Sequence, residues 1–296
     1  MKTKKPNIVL FISDQQRADT MPGGGATGMV TPHLDWLACR SQSLRGAFCT
    51  TPICSPSRAS LLTGLYPHTH RLVSNHQERP ISREMGLPAD VPVLADLLAP
   101  HGYACGYSGK WHLGTGSDRR GFRAFVTRHG QHDVSGPADN EMQHFADKIG
   151  VELGGKKMGL DPDRGCYDRR TQVGPSKLPL AFHPSHRDAV ASADFIRRRA
   201  GEKDPFLLVY SCHEPHVPFV SPRPFDRMIA PGVVTLPASW RLPIDPELVR
   251  RRSPFWRLEE VDGRLTEADL RQIWAAYLGA VGYVDHLLGL LLEALI

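Results

Sequence analysis

Five consecutive positions near the N-terminus, Ile8 to Ile12, are apolar. An uninterrupted run of this kind predicts a β-strand over residues 7–13 that is covered on both faces. The period then changes. In TPHLDWLACRSQS, Thr31 is placed to cap a helix, Pro32 suits its first position, and Leu34, Leu37 and Ala38 share one face. A second helix is predicted to begin near Pro56, and a third in VPVLADLLAPHG, where Gly102 stops it. Residues 103–109 read as a strand, 185–200 as a helix, and 205–212 (PFLLVYSC) as the clearest inner strand after the first. Thr266 caps a long amphipathic helix that runs to the C-terminus. Strand and helix patterns that alternate in this way predict a layered α/β/α domain with a largely parallel sheet.

Two stretches break the alternation. Residues 114–183 are rich in Gly, His and charge, and 221–265 concentrate proline; both are expected to be long loops or insertions, which fit the walls of a site and surface decoration without a role about equally well. The 296 residues are 41% hydrophobic and 23% charged, an ordinary globular balance, with a formal net charge of +5. The basic runs Arg197-Arg198-Arg199 and Arg250-Arg251-Arg252 lack interleaved aromatic residues and read as solvated surface, so no nucleic-acid partner is expected. No segment approaches the roughly 18 apolar residues of a membrane span, and no membrane partner is expected. The lysines before Ile8 mimic a signal peptide, but the apolar run is too short and ends at Asp14; a cytoplasmic chain is expected. The six cysteines show no metal-binding spacing, and most are expected to be buried thiols.

Cys54 stands apart. In CSPSRASLLTGLYPHTHR, Pro56 suits the first turn of a helix, which places Cys54 just before it, facing unpaired amides and the positive end of the helix dipole. Arg58 is near enough to reach toward the same place. A buried cysteine beside a capped helix would fit that spacing equally well.

The surrounding segments extend the pattern. CSPSRASLLTGLYPHTHR resembles the signature of the sulfatase family, within the alkaline-phosphatase-like superfamily. PNIVLFISDQQRADT, TPHLDWLA, GKWHLG with GFRAF, PFLLVYSCHEPHVPF and YLGAVGYVDHLLGLLLEAL follow in family order. The resemblance implies hydrolysis of a sulfate monoester on a small molecule or carbohydrate. Cys-x-Pro-x-Arg would then direct a formylglycine-generating enzyme to convert Cys54 to formylglycine. Its hydrated aldehyde offers one hydroxyl to attack sulfur and a second whose deprotonation expels sulfate.

By the same resemblance Asp14, Gln15 and modified Cys54 are implied ligands of a divalent cation, calcium before magnesium or manganese. Asn75 is a further candidate, equally readable as a loop cap. Family members often carry Asp-Asp where this chain has Asp14-Gln15, one negative charge fewer. Lys110 is implied as a contact to sulfate oxygens, His112 as a partner of the formylglycine hydroxyl, and His216 as the acid toward the leaving oxygen. Lys110 and His112 flank Trp111, so an extended segment would turn both to one side. His213 is expected to be structural, and His68, His70 and Arg71 to hold packing.

The family pattern continues to an Asp-His-Gly or Asp-Asn-Gly motif and a small C-terminal subdomain, neither present in residues 1–296, which therefore resemble the N-terminal portion of a sulfatase catalytic domain. VDHLLG at 284–289 falls in the last helix and is not a substitute. Without the absent strand, Leu287, Leu288, Leu290, Leu291 and Leu292 are expected to lie bare. Two alternatives stay open: a phosphonate monoester or phosphodiester hydrolase of the same superfamily, which often carries Asp-Gln after the first strand, and a non-catalytic remnant.

Overall fold

β1 (Ile8–Ile12), β2 (Ala104–Gly109), β3 (Ala124–Arg128) and β4 (Phe206–Ser211) form a sheet in the order β1-β4-β2-β3, with every pairing parallel. This is the architecture of a computed structural model, which describes residues 5–25, 29–75, 86–114, 120–128, 168, 171–236 and 265–296. β4 lies inside the sheet and is buried at every position, as its unbroken apolar run predicts.

Helices cover both faces: α1 (Pro32–Ala38), α2 (Cys54–Thr63), α3 (Pro67–His70), α4 (Leu94–Leu98), α5 (Pro184–Ala200) and α6 (Glu267–Leu295). Successive side chains of β4 part to opposite sides. Leu207 and Val209 join Ala59 and Leu62 of α2, Ala95 of α4, and Trp111 in one core. Phe206, Leu208 and Tyr210 join Phe195 and Ile196 of α5 and Leu287 and Leu291 of α6 in the other. The α/β/α layering expected from the sequence is therefore present.

Several local expectations are corrected. β3 lies inside the stretch read as irregular; five residues among glycine and charge carry too little periodicity to show. α2 begins at Cys54, two residues before Pro56, so the cysteine is the first helical residue. Thr31 holds the cap position of α1 but makes no side-chain cap. Asp285 of α6 does so from a distance, accepting from the amide of Leu34 at 2.7 Å and from that of His33 at 3.4 Å. In α1 only Leu34 is buried, and Leu37 faces solvent.

α6 corrects two more. It is long and apolar enough to cross a membrane, with mean hydropathy 1.4 over its most apolar window, yet 78% of that window is buried inside the protein, as in a core helix. Leu287 and Leu291 are buried rather than bare, because α5 and the back of the sheet cover them; Leu288 is buried as well, and Leu290 and Leu292 are half-buried. Full burial of one leucine contributes roughly 1.5–3 kcal/mol. Thr266 caps this helix as predicted, through reciprocal bonds with Asp269. The cysteines divide: Cys105 and Cys212 are buried, Cys39 and Cys49 exposed, Cys54 between, while Cys166 lies outside the described residues.

Candidate active site

Parallel strands end on one side of a sheet, and the chain leaves β1 at Asp14, β2 at Lys110 and β4 at 212–216 on that side. The N-terminus of α2 meets them there. Oδ2 of Asp14 accepts from Nζ of Lys110 at 2.5 Å and from Nη2 of Arg58 at 3.2 Å. Oδ1 of Asp14 lies 3.7 Å from Sγ of Cys54. Arg58 also donates through Nη1 to the carbonyl of Lys110 (2.9 Å) and to Oγ of Ser211 (2.6 Å). A buried carboxylate is thus held between two buried cations beside the cysteine.

β2 must approach β4 closely for this to form. At Gly109, with φ +89°, a Cβ would lie 2.1 Å from the carbonyl oxygen of Ser211. Only glycine permits that contact, and the next amide, of Lys110, donates to the same carbonyl at 2.8 Å. Trp111 then turns into the core against Tyr107 and Phe122. His112 takes φ +56°, so the segment is not extended as expected, and Lys110 and His112 reach different partners. The carbonyl of His112 accepts from Oγ of Ser55 at 2.7 Å, with Nδ1 3.4 Å from the same oxygen.

Gln15 is the second non-glycine residue near the site with left-handed backbone, at φ +65°. Its side chain is exposed, and its carbonyl accepts from the hydroxyl of Tyr277 in α6, which in turn accepts from the amide of Arg17. Oδ1 of Asn75 accepts from the amide of Ser55 at 3.1 Å and so caps α2 next to Cys54. Among the described residues no group of three or more His, Cys, Asp or Glu side chains converges as a metal cluster.

Burial alone would raise the pKa of Asp14, but Lys110 and then Arg58 outweigh it and hold the carboxyl well below the usual carboxylate range. The thiol of Cys54 is pushed up by burial, against the opposing charge of Lys110 and with further help from Asp14. Unmodified Cys54 is therefore a poor thiolate nucleophile. Burial, then Lys110, lowers His216, and the same pair of causes lowers His213 strongly. Nδ1 of His216 lies 2.6 Å from the carbonyl of Val217, which can only accept, so this nitrogen carries the proton and the neutral ring presents a bare Nε2.

Asp14, Cys54, Arg58 and Lys110 are thus brought together, with Asn75 and His112 joined to them through Ser55; the Gln15 side chain faces solvent. His70 packs against Ser60, His68 stacks on Tyr66, and Arg71 pairs with Asp90, all holding local structure. Sequence reasoning missed Ser211 and Glu214. The position of Ser211 at the end of the strongest strand was the one available signal for it.

A parallel sheet with a charged cluster at its carboxyl ends defines an α/β protein with its candidate site at the end where such sheets place ligands. The match to the sulfatase family model spans residues 6–295, and the chain belongs to that family. It is 33% identical to arylsulfatase A of Bos taurus over 74% of this chain and 43% of that protein. An arylsulfatase of Clostridium perfringens is 28% identical over 98% of this chain and 59% of that one. Among solved structures, the phosphonate monoester hydrolase SpPMH of Silicibacter pomeroyi superposes with a TM-score of 0.70 at 24% identity, covering 98% of this chain and 59% of that chain. The chain spans about half the length of the relatives it matches, and the alkaline-phosphatase-like fold expected from the sequence is the one observed.

Proposed function

We propose that this chain supplies the nucleophile and anion-binding part of a sulfuric ester hydrolase, with Cys54 converted to formylglycine. The observation that supports it best is the placement of Cys54 at the first position of α2, 3.7 Å from Asp14 and within the field of Lys110 and Arg58. An unmodified thiol in that place is held protonated by burial, whereas a hydrated aldehyde brings hydroxyl groups that attack sulfur and later release sulfate.

The donors at the site, the carboxylate of Asp14 and the amide oxygen of Asn75 with an oxygen at residue 54, suit a hard cation such as calcium over a soft metal, and Gln15 would have to turn its side chain in from solvent to join them. They make up only part of a calcium shell of roughly 6–8 oxygens, so the rest would come from donors outside this set. Such a cation would neutralise the oxygens of a bound sulfate. Lys110 and Arg58 add positive charge where sulfate oxygens would sit, and His112 lies beside Ser55 to orient the group at residue 54. His216 presents a bare Nε2, which would first take up a proton, against the lowering by burial and Lys110, before giving it to the leaving oxygen. Carbohydrate sulfates are included in the substrate class, since relatives are named as acting on ulvan and on N-acetylgalactosamine-6-O-sulfate.

One observation favours a second reading. Asp14 is followed by Gln15 rather than a second carboxylate, and this pair resembles the Asp-Gln that phosphonate monoester and phosphodiester hydrolases of the superfamily often carry after the first strand. Co-expression with a formylglycine-generating enzyme, followed by peptide mass spectrometry, should show the aldehyde at residue 54. An unmodified thiol there, beside a control sulfatase converted in parallel, defeats the proposal. Aryl sulfate and phenyl phosphonate assayed side by side on converted enzyme, extended to the length of its relatives, separate the two substrate classes.

A further inference from the structure

We propose that Glu214 is a positioning residue: its carboxyl, seated against His183 and Ser185 at the start of α5, fixes the segment that carries His213 and His216 and receives the amide of Asp14. The inference rests on the sulfate-ester reading only where turnover is measured.

Residues 212–218 straddle the end of the sheet. On one side the rings of His213 and His216, 4.8 Å apart, stand in the fields of Lys110 and Asp14. On the other, Glu214 is buried among α5 and α6. Its Oε1 lies 3.9 Å from Nδ1 of His183, its carboxyl takes a hydrogen bond from the Ser185 side chain, and Nδ1 of His183 lies 2.9 Å from the hydroxyl of Tyr283. The main chain joins the two sides. The carbonyl of Glu214 accepts from the amide of Asp14 at 3.0 Å, and the amide of Cys212 donates to the carbonyl of Ile12 at 3.0 Å. The carboxyl of Glu214 is thus one side chain away from the backbone that sets Asp14.

A buried carboxyl is a poor choice for stability. Oε2 of Glu214 makes no hydrogen bond among the described residues, and burying such an oxygen costs free energy that an apolar side chain of like volume would not. Its presence between the two histidines fits a local rule broken at a functional site. The helix start favours a carboxyl there, and the contacts with His183 and Ser185 fix its direction.

The test compares Glu214→Leu, which fills the volume without the polar anchor, with Glu214→Gln, which keeps shape and an acceptor. In the 296-residue chain, Leu should speed exchange of the Asp14 amide by about tenfold or more while the Lys110 amide, bonded to Ser211, keeps its protection. Gln should hold the Asp14 amide within about threefold of wild type. In converted enzyme extended to the length of its relatives, Leu should lower kcat by about tenfold with KM nearly unchanged, and Gln should restore it. Unchanged Asp14 exchange in Glu214→Leu, or a uniform loss of protection at every amide, overturns the proposal. If wild-type enzyme cleaves neither ester, the functional reading fails while the exchange result still judges Glu214.

Discussion

Nζ of Lys110 and Oδ2 of Asp14 meet at 2.5 Å with both side chains almost wholly buried, and Arg58 shares the same carboxylate. A pair of this kind is costly to break from one end, because the remaining charge is left without compensation.

Asp14→Asn strands two buried cations and should destabilise the chain by about 3–5 kcal/mol, whereas Lys110→Met leaves Asp14 its Arg58 partner and should cost about 1–3 kcal/mol. The double variant should lose less than the sum, which urea denaturation would show. Strict additivity would mean that the groups do not act as one unit. Turnover of Lys110 variants must therefore be read beside their stability, since this lysine holds structure as well as charge.

Calcium titration follows from the donor set. With one carboxylate among the candidate ligands, the 296-residue chain should bind calcium with a Kd weaker than about 1 mM by calorimetry. Micromolar binding would show that the metal site is placed wrongly.

Asp285 caps α1 from α6, accepting amides of His33 and Leu34 and lying 2.8 Å from Nδ1 of His33. Asp285→Ala should cost about 1–3 kcal/mol, the penalty for stranding buried donors. Asp285→Asn should recover part of it. A thermal melt unchanged in the alanine variant would remove the cap from the account.

His186 and His286 stack across α5 and α6 with Nδ1 and Nε2 3.2 Å apart, near His33, Asp285 and Glu293. Burial first, then His286, holds His186 below the ordinary imidazole pKa of 6.5, and burial first, then His33, holds His286 below it. The folded protein therefore binds fewer protons than the unfolded chain just under that value. Stability from this pair is full above 6.5 and falls as pH drops through it. His286→Phe keeps a ring and should flatten the decline in Tm between pH 7.5 and pH 5. An equal slope in both proteins would show that the pair does not govern it.

The elements were legible because their signals are local. Alternation of apolar runs and helical periods gave β1, β2, β4 and the long helices, and the apolar run from Phe206 to Tyr210 announced a strand with no wet face. Thr266 with Asp269 marked a helix start because a capping box needs only residues three apart. Cys54, Asp14, Lys110 and His216 were singled out in a different way, through the order and wording of segments that resemble one family.

What the sequence did not carry were relations between residues far apart along the chain. Asp285 caps a helix more than 250 positions away, so Thr31 took its place in any local reading. Asp14 gains its charge partners only when β1, β2 and α2 converge. Leu287 and Leu291 are covered by α5, where a linear reading left them bare. Ser211 and Glu214 acquire their roles from which strand lies next to which. Hydrophobic period fixes an element through its own neighbours, but a buried ion pair or a remote cap depends on packing between elements, and only the tertiary structure decides that.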